Sequence, residues 1–125
     1  MSDTERSEVI DLVEKKTISF NLASWRDDKS VFLSFGYTTI AIPINDYELF
    51  CDFIIETREE LADFRSEEAS IMPLSEKKTN HFDLTSWKDC RVAYLSFGHT
   101  MITVPLDAFE SLFDFVDETY NKLKD

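Results

Sequence analysis

Glycine is scarce in this chain. Gly36 and Gly98 are the only two in 125 residues, accompanied by three prolines and two cysteines. So little glycine leaves no phosphate-cradling loop of the kind that nucleotide enzymes require. Cys51 and Cys90 lack metal-type spacing and nothing marks an oxidising compartment, so two reduced thiols are expected. Cations are in short supply too: 13 Lys and Arg stand against 25 Asp and Glu, a formal charge of −12. Nucleic acid is a poor match for that overall field, because phosphate binding draws on a basic footprint. No apolar run approaches the roughly 18 residues of a membrane-spanning helix, so no membrane partner is expected. The polar, acidic start MSDTERSEVI differs from the basic and then apolar pattern of a leader peptide, and a cytoplasmic protein is the expectation.

What is present in quantity is apolar bulk. Hydrophobic residues make up 43% of the chain, with eleven Phe and two Trp, enough to fill the interior of one domain over residues 1–125 without disulfides.

That domain is one unit written twice. A shift of 62 residues without a gap lays KKTISFNLASWRDDKSVFLSFGYTTIAIPINDYELFCDFIIETREEL on KKTNHFDLTSWKDCRVAYLSFGHTMITVPLDAFESLFDFVDETYNKL, and residues 7–63 match 69–125 at 24 of 57 positions. The repeat therefore spans nearly the whole protein, with residues 64–68, FRSEE, as a short connector.

Each unit reads as strands followed by one helix. Ile18, Phe20 and Leu22, with Phe82 and Leu84, predict strands over 17–22 and 79–84. Val31, Leu33 and Phe35, with Ala93, Leu95 and Phe97, predict strands over 31–35 and 93–97. The two glycines then turn the chain into the β-branched stretches TTIAI and TMITV, which Pro43 and Pro105 end. A further strand is expected near 8–15 and 70–77, where Pro73 fits only an edge or a bulge. Asn45 with Glu48, and Asp107 with Glu110, have capping-box spacing. The helix stripes read Tyr47, Phe50, Cys51, Ile54, Leu61 and Phe109, Leu112, Phe113, Val116, Tyr120, Leu123. Phe53 and Phe115, each followed a turn later by Thr57 or Thr119, lie on a side stripe and are expected to pack between the repeats. One helix on a sheet of under about 60 residues is marginal alone. The expected fold is accordingly α+β, with the two repeats packed as an intramolecular pseudo-dimer.

The segments KKTISFNLASWRDDKSVFLSFG and NDYELFCDFIIE, with their counterparts in the second copy, resemble the PUR repeat and, more loosely, the Whirly-like single-strand binders. That resemblance implies antiparallel strands closed by a C-terminal helix, no catalysis, and single-stranded DNA or RNA on the sheet side, often with dimerisation.

Charge is unevenly placed. Residues 43–63 hold one cation against seven carboxylates and residues 105–125 two against six, while 7–42 and 69–104 are close to neutral. Asp52, Glu56, Glu59 and Glu60, with Asp114, Asp117 and Glu118, form two acidic helix backs that either keep the protein soluble or steer it to a basic protein partner. An inhibitor, an immunity protein or a DNA mimic acting on a nucleic-acid-handling protein would use such a surface. The rival surface lies on the strand half, where Trp25, Arg26 and Lys29, with Trp87, Lys88 and Arg91, set aromatics beside cations as a base-stacking platform would. Alternatively the tryptophans close the core above their hairpins. Phe32 and Tyr94 point away from Leu33 and Leu95, as exposed anchors or as the seam of a further interface, and a homodimer is left open. Lys15, Lys16, Lys77 and Lys78 add positive charge to the strand half.

Catalytic readings find little to build on. His81 and His99 replace Ser19 and Tyr37 of the first copy, and His81, Asp83 and Cys90 are too far apart along their hairpin for a Cys-His pair. No cofactor or metal is expected. Cys51 replaces Phe113 on a buried stripe and reads as a core residue, and Cys90 as an exposed, oxidisable one.

Overall fold

The computed structural model describes residues 9–17, 20–63, 71–89 and 91–124. The expectations for Ile18, for the connector 64–68 and for Cys90 lie outside the described residues. The first repeat comprises strands β1 (Ile10–Lys16), β2 (Asn21–Arg26), β3 (Ser30–Phe35) and β4 (Thr38–Pro43), a 3-10 turn (Ile44–Asp46) and helix α1 (Tyr47–Asp63). The second comprises β5 (Met72–Lys78), β6 (Asp83–Asp89), β7 (Val92–Phe97) and β8 (Thr100–Pro105), a 3-10 turn (Leu106–Ala108) and α2 (Phe109–Lys124). Each set of four strands is an antiparallel sheet in chain order, so the architecture is α+β with the repeated arrangement expected.

Local chemistry shifts two of the expected boundaries. The strands expected from 17 and 79 begin only at Asn21 and Asp83, because Thr17 and Thr79 close a turn first. Thr17 Oγ1 accepts from Phe20 N at 2.9 Å and donates to Phe20 O at 2.8 Å, and Thr79 does the same with Phe82. A side-chain hydroxyl thus takes the backbone groups that a strand ladder would have used. The β-strand expected to precede it is present in both copies, at the sheet edge. Its register shifts between Asp11 and Val13 and between Pro73 and Ser75, so Pro73 sits on an edge strand beside a bulge, where its missing N–H costs no ladder bond.

The hairpins turn on Gly36 and Gly98, whose φ angles are 67° and 65°. Positive φ at the first of two central residues suits a type II′ turn, which matches the twist of the flanking strands. A Cβ at either glycine would also press on Phe20 or Phe82 at 3.4 or 3.3 Å. The helices do not start on the expected capping boxes. Pro43 and Pro105 lead into the 3-10 turns with no side-chain cap bond, and Tyr47 N and Phe109 N bond back to Ile44 O and Leu106 O.

The helices cross over. α1 lies along β5 and β6 of the second repeat, and α2 along β1 and β2 of the first. Phe53 and Phe115, wholly buried, meet Phe97 and Phe35 of the opposite repeat at 6.3 and 6.2 Å, and Phe35 stacks on Phe97 at 6.4 Å. Packing between repeats is thus what these two phenylalanines do, and they lie at the centre of the buried helix faces. Phe113 and Tyr120, expected on the main stripe, are its half-buried margin. There Phe113 is covered by the Arg58 guanidinium, and Tyr120 lies between Tyr47 and the Lys124 ammonium. Full burial of Phe50, Phe53 and Phe115 contributes about 2–3 kcal/mol each. Two buried hydroxyl pairs fasten the same crossings: Ser24 with Thr119 at 2.9 Å, and Thr57 with Ser86 at 2.8 Å. Tyr47 joins the helices, its hydroxyl donating to Val116 O at 3.2 Å.

Candidate partner-binding faces

The helix side carries the acidic surface. Asp52, Glu59 and Glu60 of α1 and Asp114, Asp117 and Glu118 of α2 are exposed, and Glu56 is half-buried. α1 packs against α2, so the two acidic sets lie on neighbouring helices. The Cys51 thiol reports this: burial, and then the charges of Asp52, Asp117 and Glu48, push its pKa up to about 12. One of those carboxylates belongs to the other helix. Arg58 of α1 reports it again. Its guanidinium grips Glu110 of α2 at 2.9 and 3.1 Å and lies 4.2 Å from the Phe113 ring centroid. Those bonds to Glu110, and then the charges of Asp114 and Glu59, raise its pKa.

Two of the seven expected carboxylates are structural clamps. Glu56 takes Lys77 Nζ at 2.9 Å and the Ser75 hydroxyl at 3.0 Å, and Glu118 takes Lys15 Nζ at 3.3 Å. Both pairs tie a helix to the edge strand of the opposite repeat, and both are related by the 62-residue shift. Lys77, chiefly, and Ser75 hold the Glu56 carboxyl below its ordinary range. Asp52, Glu59, Glu60, Asp114 and Asp117 remain as the outward-facing set.

The strand side is divided differently from the expectation. Trp25 and Trp87 lie within β2 and β6, on the outer face, and so do not close the core. Trp25 stacks on its cross-strand partner Phe32 at 5.8 Å, and Trp87 on Tyr94 at 5.7 Å. Arg26 and Lys88, the expected cations at their edges, alternate to the inner face with Leu22 and Leu84. Lys88 is only 4% exposed. Arg26 Nε donates to Asp27 O at 3.0 Å. Lys29 and Arg91 are exposed at the hairpin tips. There Asp27 Oδ1 accepts from the N–H groups of Lys29 and Ser30, which lower its pKa. Lys15 and Lys77, spent on the clamps, leave Lys16 and Lys78 on the outer side of the edge strands.

His81 lies in the β5–β6 turn rather than on a strand face with Asp83. Its Nδ1 is 2.6 Å from Oδ2 of Asp46, a fully buried carboxylate whose Oδ1 has no hydrogen-bond partner among the described residues. This pair went unread in the sequence, although its signal was there: Asp46 and His81 are both departures from the repeat, which has Ala108 and Ser19 at the equivalent places.

Among the described residues no group of three or more His, Cys, Asp and Glu is placed to hold a metal ion. No helix among them is long and apolar enough to cross a membrane. No protein-family model matches the chain, nor does any curated protein.

Proposed function

We propose that this protein is a non-catalytic binding module whose acidic helix side recognises a basic protein partner, as an inhibitor, immunity protein or nucleic-acid mimic would. The observation that carries this reading is that α1 and α2 pack on each other with Asp52, Glu59, Glu60, Asp114 and Asp117 exposed on them. Carboxylates fixed on two packed helices form a rigid field that speeds encounter with a basic surface and loses strength with salt. The partner class is a protein that handles nucleic acid, because such proteins carry basic surfaces shaped for a run of negative charge.

A second reading, PUR-like binding of single-stranded DNA or RNA on the outer sheet faces, is favoured by the two repeat-related stacks, Trp25 on Phe32 and Trp87 on Tyr94. The inward turn of Arg26 and Lys88 weighs against it. The test is parallel titration with a polylysine peptide and with a mixed-sequence single-stranded oligonucleotide, at low and moderate salt. Salt-sensitive binding of the peptide alone supports the acidic reading. Saturable oligonucleotide binding with quenched tryptophan emission replaces it with the sheet-face reading.

A further inference from the structure

Lys88 is an anomaly in this fold. It is a cation 4% exposed, on the inner face of β6, whose side chain makes no hydrogen bond or ion pair among the described residues. Among the described residues Asp46 Oδ1 is the one buried side-chain polar atom without a partner, so the Lys88 stem is buried while its ammonium reaches solvent, as a long cation on an apolar face does. Lys88 lines a cavity of about 470 Å3 between the C-terminal half of α1, the second 3-10 turn and the start of α2. That volume falls within the range of small-molecule sites. Its apolar lining is Leu61, Ala62, Leu106 and Phe109.

The other charged groups at this cavity select the kind of ligand. Arg58 is already held by both oxygens of Glu110, which leaves Lys88 as the available cation. Glu59 and Glu110 also line the site and disfavour a multiply charged anion. The repeat-equivalent place is built otherwise. Arg26 there is bonded to Asp27 O, and where Arg58 and Ala62 stand in the first helix the second has Tyr120 and Lys124, whose Nζ lies 4.7 Å over the Tyr120 ring.

We propose that this cavity binds a small organic monocarboxylate. Its carboxylate meets the Lys88 ammonium and its apolar body packs on Leu61, Leu106 and Phe109. The site adjoins the acidic helix surface at Glu59 and belongs to one repeat-related position only.

The experiment is an NMR titration of the full chain with 3-phenylpropionate, with the neutral 3-phenylpropionamide and with inorganic phosphate. Saturable shifts centred on Lys88, Ala62 and Phe109 are expected with the carboxylate, and binding about tenfold weaker with the amide, the scale of one charge-assisted hydrogen bond. Lys88→Met is expected to weaken the carboxylate about tenfold and to make the two compounds alike. Ala62→Phe, at an exposed helix position where folding is undisturbed, fills the cavity and abolishes both. The proposal is overturned by equal binding of carboxylate and amide, by phosphate binding as tightly as the carboxylate, by unchanged binding in Ala62→Phe, or by no saturable shift at these residues.

Discussion

His81 Nδ1 and Asp46 Oδ2 stand 2.6 Å apart across the two repeats, and the Asp46 carboxylate that His81 serves is wholly buried. His81 is half-exposed, so the pair leaves the carboxylate with one partner at the surface and one oxygen unmet inside. His81→Ala is expected to lower stability by about 1–3 kcal/mol, the cost of stripping a buried acceptor of its partner. Asp46→Ala, which installs the residue found at 108, removes the need for that partner, so His81→Ala on that background costs almost nothing. Urea unfolding of the two single variants and the double checks this. An equal cost of His81→Ala in both backgrounds means the pair is uncoupled.

The hydroxyl pair of Thr57 and Ser86 supports a second double-mutant test. Thr57→Val strands the Ser86 hydroxyl in the interior and is expected to cost about 1–2 kcal/mol. Adding Ser86→Ala is expected to cost less than its own single effect, since nothing polar is then left unpaired. Strict additivity in chemical denaturation counts against the bond.

Crossed packing has a consequence for the halves. Residues 1–66 contain a sheet whose inner face is made to receive α2 and a helix made to cover the other sheet. This half alone is expected not to form a folded monomer. Circular dichroism with light scattering decides, and a folded monomeric half contradicts the crossing.

The Glu56–Lys77 clamp predicts a pH dependence. Hydrogen bonding to Lys77 lowers the Glu56 pKa from an ordinary value of 4.5, so folding is favoured by this group above that value. Its contribution is lost as the pH falls through the lower folded value. The pair is half-solvated and worth under about 1 kcal/mol. Lys77→Met is expected to lower stability at neutral pH by that amount and to flatten the acid limb, so that the two proteins converge as the pH falls. An acid limb identical in both proteins refutes the assignment.

The repeat, the hairpin glycines, the edge proline and the existence of both helices were legible because each is a local or self-similar feature. The crossing of the helices was not, since the same amphipathic stripe satisfies either sheet. The packing of Phe53 and Phe115 between the repeats was legible all the same, because both lie on a repeated side stripe with Thr57 and Thr119. Thr17 and Thr79 were misread because alternation of apolar residues runs through a turn that a hydroxyl closes. The inward placement of Lys88 was available by counting in twos from Leu84, and adjacency to Trp87 obscured it. The placing of the acidic sets on neighbouring helices required the three-dimensional contact of α1 with α2.

Recognition by the helix side and recognition by the sheet side lead to opposite outcomes in one experiment. The most direct measurement is capture from nuclease-treated and untreated cell extract with three immobilised forms: the native chain, a helix-side variant (Asp52→Lys, Glu60→Lys, Asp114→Lys, Asp117→Lys) that spares the Glu56 and Glu118 clamps, and a sheet-side variant (Trp25→Ala, Trp87→Ala). Helix-side recognition predicts that basic proteins released by salt are held by the native and sheet-side forms, with or without nuclease, and lost from the helix-side variant. Retention by the helix-side variant, with loss in the sheet-side variant and after nuclease treatment, contradicts it.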